Sequence, residues 1–135
     1  MFTLYFDGAS RSNPGPASYG GVIYDENGVE QYTYKKYIGT TTNNVAEYKA
    51  LLNGLLLAKE KGITNLDVYG DSKLVIEQVT GNWKVKSPLL TPIHREICTF
   101  LVNNPFEQIT FQHVYRKNNK RADKLANEAL DEAFI

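Results

Sequence analysis

Four acidic residues stand where the chain changes character: Asp7 in "YFDGAS", Glu47 in "TTTNNVAEYKALL", Asp71 in "YGDSKLVIEQV" and Asp123 in "NKRADKLANEA". Carboxylates this far apart in sequence act together only if the fold gathers them. Electrostatics then restricts the outcome. Two carboxylates about 4 Å apart repel by roughly 4 kcal/mol at an effective dielectric of 20. A tight group of four therefore either holds protons at raised pKa or surrounds divalent cations. Two divalent ions would offset four carboxylates in formal charge. An all-oxygen donor set suits Mg2+ or Mn2+ rather than zinc or copper, and Mg2+ shares carboxylates with substrate phosphates. A pair of such ions stabilises both the attacking water and the leaving oxygen of an in-line displacement. Each acid also has a plainer role. Glu47, three residues after Asn44, fits a capping box. Asp71 fits the cap of the helix that follows it, and Asp7 before Gly8 fits an Asx-turn. Asp123, among Lys120, Arg121 and Lys124, fits a solvated helix face.

The elements that must position these acids can be read from periodicity. Met1 to Phe6 alternates as a strand, with Phe2, Leu4 and Phe6 on one face. Asp7 follows as the end of that strand, and "DGASRSNPGPASYGG" reads as a long loop. "YGGVIYDENGVEQYTYKKYIG" reads as two strands joined at Glu26-Asn27-Gly28, where Asn-Gly signals a hairpin. A helix follows with Asn44 as its N-cap, Tyr48, Leu51, Leu52 and Leu55 in phase, and Gly62 as its stop. "ITNLDVYG" is a fourth strand and "DSKLVIEQVTG" a short helix. "SPLLTPIHREICTFLVNN" is a helix whose regular part begins near Pro92. "FEQITFQHVY" is a fifth strand. "NNKRADKLANEALDEA" is a helix with Ala122, Leu125, Ala126, Ala129 and Leu130 on one face. The order βββ-α-β-α-α-β-α implies a mixed sheet with helices packed on it. If the first and fourth strands are parallel neighbours, Asp7 and Asp71 emerge at the same carboxyl edge, where α/β sheets bind ligands.

Bulk properties narrow the classes. A chain of 135 residues is expected to form one domain, residues 1–135, with a core that needs no staple. Its single cysteine, Cys98, excludes an intrachain disulfide and a cysteine-based metal cage, and reads as a small buried hydrophobe. Met1 to Phe6 runs straight into Asp7 without a leader-like apolar region, and no apolar run approaches a membrane span. The expectation is a cytoplasmic protein. Net charge is zero, so nucleic acid would have to be met by a local patch.

At the four acids the chain resembles ribonuclease H, type 1. "YFDGASRSNPGPASYG", "TTNNVAEYKALL", "YGDSKLVIEQV" and "NKRADKLANEA" carry the resemblance across nearly the whole chain. It implies an α/β ribonuclease H-like fold: a five-stranded mixed sheet, order 3-2-1-4-5, strand 2 antiparallel, helices on both faces. It implies a metal-dependent endoribonuclease that hydrolyses the RNA strand of RNA/DNA hybrids with two Mg2+ ions, Mn2+ being the alternative, and leaves 5′-phosphate ends. Asp7, Glu47, Asp71 and Asp123 match the family's catalytic, metal-binding carboxylates. Ser10, Asn13 and Asn44 match minor-groove contacts, Asn43 also a base-edge contact, and Thr42 a phosphate contact. The residue types agree, because only the RNA strand carries 2′-hydroxyls and Ser and Asn both give and take hydrogen bonds.

The chain also departs from common members of that family. The loop "YRKNNKR" before the last helix holds no histidine, which resembles an archaeal-like branch. His113 nearby reads as a partly buried strand residue, and Arg116 or Lys117 is expected to approach the metal or the product phosphate in the histidine's stead. No basic protrusion follows the second helix. "GNWKVKSP" offers only Trp83, Lys84 and Lys86, with Trp83 either touching DNA or packing. Lys73 stands where some relatives have a glutamine near the RNA strand. Arg116, Lys117, Lys120, Arg121 and Lys124 form the best basic patch. The nine tyrosines read as strand residues rather than stacking platforms. The expected partner is an RNA/DNA hybrid duplex met by a monomer, with no membrane, modest affinity and strong salt sensitivity. The alternatives are a catalytically weak nucleic-acid-binding module of the same fold, a nuclease also acting on double-stranded RNA, and a Mg-dependent phosphohydrolase of small molecules. The absence of a Walker loop argues against the last.

Overall fold

A computed structural model describes residues 1–135. Five strands, β1 (Phe2–Ser10), β2 (Gly15–Tyr24), β3 (Glu30–Thr41), β4 (Asn65–Gly70) and β5 (Gln108–His113), form one sheet in the order β3-β2-β1-β4-β5. β2 is antiparallel to β1 and β3, while β1, β4 and β5 run parallel. Four helices complete the fold: α1 (Asn43–Glu60), α2 (Lys73–Val79), α3 (Thr91–Asn103) and α4 (Lys120–Ala133).

The hairpin forms where Asn-Gly places it. Asp25 accepts hydrogen bonds from the amides of Asn27 and Val29, both at 2.9 Å, and Gly28 takes φ 78°. A side chain would rarely adopt that conformation. The expected long loop after Phe6 is not one. β1 runs on to Ser10 and β2 starts at Gly15, leaving only a tight turn between them. The small, glycine-rich residues that suggest a loop are instead strand residues against which helices pack closely. A Cβ on Gly8 would meet the Glu47 nitrogen of α1 at 2.4 Å, and one on Gly20 the Ala126 nitrogen of α4 at 2.6 Å. These contacts put α1 and α4 on opposite faces of the sheet.

Between α1 and the sheet lies the main core. Leu4, Phe6 and Ile23 pack with Tyr48, Leu51, Leu55, Leu66 and Val68, all without solvent exposure. Each such side chain contributes on the order of 1.5–3 kcal/mol by burial. On the other face Ala122, Leu125, Ala126, Ala129 and Leu130 of α4 are buried, the stripe its periodicity predicts. Small alanines let α4 lie close over β2, and the Ser18 hydroxyl donates to the Ala126 carbonyl.

The start of α1 differs from the sequence expectation. Its N-cap is Thr42, whose hydroxyl accepts from the Val45 amide at 3.2 Å. Asn43 therefore opens the helix, and Asn44, the expected cap, is its second residue.

Candidate active site

Parallel pairing of β1 with β4 ends at Phe6 opposite Gly70. The next residue of each strand is an aspartate. Asp7 stays in β1, which continues beside β2 (Asp7 pairs with Gly20), so it does not end its strand as expected. Asp71 instead leads out of β4 into α2. That helix is capped by Ser72, whose hydroxyl accepts from the Val75 amide at 3.3 Å, so the Asp71 carboxylate is not used as a cap. The two aspartates leave the ladder at one level, at the carboxyl edge of the sheet.

Glu47 joins them from α1. With Thr42 as the cap, Glu47 is the fifth helical residue rather than the third, which removes the capping-box role. Gly8 lets the α1 backbone come down onto β1 beside Asp7. One carboxylate oxygen each of Asp7, Glu47 and Asp71 lies within 4.8 Å of the others. Asp123 is outside that triad but lines the same cleft of about 330 Å³, with Ser10, Asn43, Arg116 and Asn127. Asn127 donates to the Asp123 carboxylate at 3.3 Å, and Arg116 Nη2 stands 4.0 Å from it.

Burial makes this group costly without a counter-charge. Asp7 is 4% exposed and Glu47 2%. Desolvation pushes the Asp7 carboxyl up to about 7, with the Asp71 and Asp123 charges adding to the rise and a hydrogen bond from Glu47 opposing it. Glu47 is held well above the ordinary range, first by burial and then by the Asp7 charge. Its Oε2 is buried without a hydrogen-bond partner. A buried acceptor in that state loses its hydration without compensation. The donors are all oxygens, they converge, and one lacks a partner, so the residues fit a hard divalent cation.

Sequence reasoning does not single out Asn119. It is 1% exposed and immediately precedes α4. Its Nδ2 donates to the Phe6 carbonyl at 2.9 Å and to Asp71 Oδ2 at 3.2 Å, which ties Asp71 to the end of the β1–β4 ladder. An asparagine at a helix start reads as an ordinary cap. Here the side chain makes no cap bond, and nothing local in sequence shows where it turns.

The remaining expected contacts are dispersed around the cleft. Ser10 and Asn43 line it. Asn13 Oδ1 accepts the Asn43 amide at 3.0 Å, which ties the β1–β2 turn to the start of α1. Thr42 is engaged as the cap, and Asn44 beside it is exposed. Lys73 is exposed at the first position of α2. Trp83, 44% exposed, lines a separate groove of about 630 Å³ with Lys84, His94 and Cys98. His94 is a packing residue there, its Nε2 3.0 Å from the Gln78 carbonyl. Cys98 is half-buried, less than expected, because it faces this groove. His113 is exposed rather than partly buried. It meets Tyr115 edge-on with ring centroids 5.7 Å apart and does not line the acid cleft.

A sheet in this order with acids gathered at its carboxyl edge defines the ribonuclease H-like fold. The family model described as "Reverse transcriptase-like" matches residues 5–129. The chain is 44% identical over 132 residues to Ribonuclease HI of Halobacterium salinarum, covering 96% of this chain and 64% of that protein. It is 32% identical to Ribonuclease H of Clostridium botulinum, covering 96% and 95% respectively. It also matches the Bifunctional protein Rv2228c of Mycobacterium tuberculosis at 44% identity but spans only 35% of that protein's length. Among solved structures, LC11-RNase H1 in complex with an RNA/DNA hybrid superposes with a TM-score of 0.94 at 39% identity, each chain fully covered. The RNase H1 structure from Halobacterium salinarum gives 0.91 at 42%, covering 97% of this chain and 98% of that one. This chain belongs to the ribonuclease H family.

Proposed function

We propose that this protein is an endoribonuclease that hydrolyses the RNA strand of RNA/DNA hybrids, with Asp7, Glu47, Asp71 and Asp123 as its catalytic carboxylates. The observation that carries this reading is the convergence of Asp7, Glu47 and Asp71 to within 4.8 Å, with Glu47 Oε2 buried and unpartnered. The hybrid seen with LC11-RNase H1, a neighbour across the full length of both chains, supports the choice of substrate. Residues 1–135 would act as one catalytic domain, as a monomer. No helix is long and apolar enough to cross a membrane, and we place the protein in the cytoplasm.

Asp7, Glu47 and Asp71 would hold divalent cations, Mg2+ in the first instance, with Asp123 serving from the facing wall. Two bound ions would supply a water nucleophile at neutral pH and charge stabilisation at the leaving oxygen, leaving 5′-phosphate ends. The chain's own residues do the rest. Gly8 and Asn119 fix where Glu47 and Asp71 stand. Ser10 and Asn43 line the cleft, where they would meet the 2′-hydroxyl side of the RNA strand, with Asn13 and Asn44 beside them. Thr42, Lys73 and Trp83 would contact the backbone further out, and Arg116 a phosphate at the cleft itself. None of these contacts requires base reading, so cleavage should be weakly sequence-dependent.

Incubation with a hybrid labelled on each strand in turn, with Mg2+ or with EDTA, tests the proposal. RNA-strand fragments with Mg2+ alone are expected. Hybrid binding without cleavage would identify a binding module of the same fold. Equal cutting of an RNA/RNA duplex would widen the substrate class.

A further inference from the structure

The loop before α4 has two sides. Arg116 lines the acid cleft. The next residue, Lys117, lines a different cavity of about 470 Å³, together with Lys120, Arg121, Tyr5 and Tyr24. Buried Asn119 stands between them, bonded to Asp71 on one side and forming part of the cavity wall on the other. The basic patch that looks continuous in sequence is therefore divided by the fold, with most of it facing away from the acids.

The sheet contributes Thr3, Tyr5 and Tyr24 to the lining of this cavity. Tyr5 lies on β1, directly opposite Tyr69 of β4, and their rings stack with centroids 5.1 Å apart. Tyr24 of β2 meets Tyr5 edge-on at 5.9 Å. Tyr5 and Tyr24 are half-buried and keep surface open to the cavity, while Tyr69, also half-buried, supports Tyr5 from outside the lining. The charge above them is unbalanced. Arg121 is held by Glu30, at 2.9 and 3.3 Å. Lys117 and Lys120 are exposed and have no carboxylate within ion-pair distance. In a chain of zero net charge, two unpaired cations over an aromatic floor are complementary to a ligand with both phosphates and flat rings.

We propose that this cavity is a second nucleic-acid site, which takes a single-stranded segment continuing from the duplex in the acid cleft, its phosphates on Lys117 and Lys120 and its bases against Tyr5 and Tyr24. The inference rests on the proposed hybrid-cleaving function for the source of the strand. Sheet-borne aromatics suit unpaired bases because every base offers a ring face, whereas the bases of a duplex are stacked on one another. The site would thus favour a hybrid that carries an overhang over a blunt one, without altering the chemistry in the cleft.

Fluorescence anisotropy with labelled hexathymidylate tests the site, against an abasic hexamer of equal charge and a hexaglutamate peptide. The wild-type protein should bind hexathymidylate at least about fivefold more tightly than the abasic strand, since stacking one base is worth about 1 kcal/mol or more. In Lys117→Ala/Lys120→Ala the slope of log affinity against log salt should fall by about 1.4, the value for two phosphates on a single strand. A hybrid with a six-nucleotide overhang should bind more tightly than a blunt one, and the double variant should lose that gain while cleaving blunt hybrid at the wild-type rate. Equal binding of the abasic and thymidylate strands, or of hexaglutamate, would overturn the proposal. So would a parallel loss of blunt-hybrid cleavage in the double variant, which would assign both lysines to the duplex track. Failure of the wild-type protein to cleave blunt hybrid would instead overturn the functional reading, while the hexathymidylate comparison would still decide the cavity.

Discussion

Replacing Asp7 with asparagine should make the ion-free protein more stable while abolishing cleavage. Asp7 is nearly inaccessible to solvent, and its carboxyl is raised from 3.8 to about 7. At about 1.36 kcal/mol per pH unit, that interval corresponds to a cost of about 4 kcal/mol at pH 8 when no cation is present. The asparagine amide is itself buried in the same place, which takes back roughly 1–3 kcal/mol. A net gain of about 2 kcal/mol remains, or roughly 5–10 °C in Tm for a chain of this size.

The pH dependence has a definite sign. A carboxyl whose folded pKa lies above its unfolded value binds its proton more tightly in the folded state. Its destabilising effect is absent below about pH 4, grows as pH rises, and is complete above about 7. The difference in Tm between Asp7→Asn and wild type in EDTA should therefore be small at pH 5 and large at pH 8. Added Mg2+ should raise the wild-type Tm more than that of the variant, because ligand binding stabilises the state that binds it. Calorimetric scans at pH 5, 6.5 and 8, with EDTA or Mg2+, measure all of this. A variant no more stable than wild type at pH 8 in EDTA, with the same pH profile, would show that the acids are not in electrostatic conflict and would remove the argument for a cation site.

Other perturbations probe the supports of the site. Gly8→Ala drives a methyl into the α1 backbone at 2.4 Å, so chemical denaturation should show a loss of about 1–3 kcal/mol, and hybrid cleavage should fall because Glu47 is displaced with the helix. Asn119→Ala should cost about 1–3 kcal/mol by stranding the Phe6 carbonyl, and should weaken Mg2+ affinity measured by titration calorimetry by about 10–100-fold through the freed Asp71. Thr42→Ala removes the α1 cap and should lower stability by about 1 kcal/mol in the same denaturation assay. Arg116 is 83% exposed and makes only a long contact to Asp123, so Arg116→Ala should leave Tm unchanged while raising KM for hybrid in steady-state kinetics.

How much of this is legible in the sequence depends on whether the information is local. Strand alternation, Asn-Gly at the hairpin and the apolar stripe of α4 are local patterns, and each lies where periodicity places it. Strand order is not local, and it enters through the resemblance. The glycine-rich stretch after Asp7 misleads for a physical reason. Glycine and serine reduce strand propensity, but here they mark close approach by α1 and α4, and composition alone does not distinguish a loop from a strand with a helix pressed against it. The N-cap lies two residues before its expected place because Thr42, Asn43 and Asn44 are all good caps by type, and only the structure shows that Thr42 makes the cap bond, to the Val45 amide, while the Asn43 amide is held by Asn13.

The residues that sequence reasoning passes over share one property: their roles are set by contacts across the sheet. Asn119 looks like a helix cap until its amide is seen bonded to Phe6 and Asp71, residues 113 and 48 positions away. Tyr5, Tyr24 and Tyr69 read as ordinary strand residues, and each of them is one. Tyr5 and Tyr24 come to line one cavity, with Tyr69 stacked beside Tyr5 outside its lining, only because β2, β1 and β4 are adjacent. Lys117 and Lys120 likewise look like part of one basic run with Arg116, yet the turn at Arg116–Asn118 sends them to a different face. The acids depend on such contacts too, because each alone fits a cap, a turn or a solvated face. Carboxylates gain nothing from gathering in a buried cleft unless a cation offsets them, so once they are known to converge a functional account is the more economical one; from the sequence it is the resemblance that gives the four acids a common site.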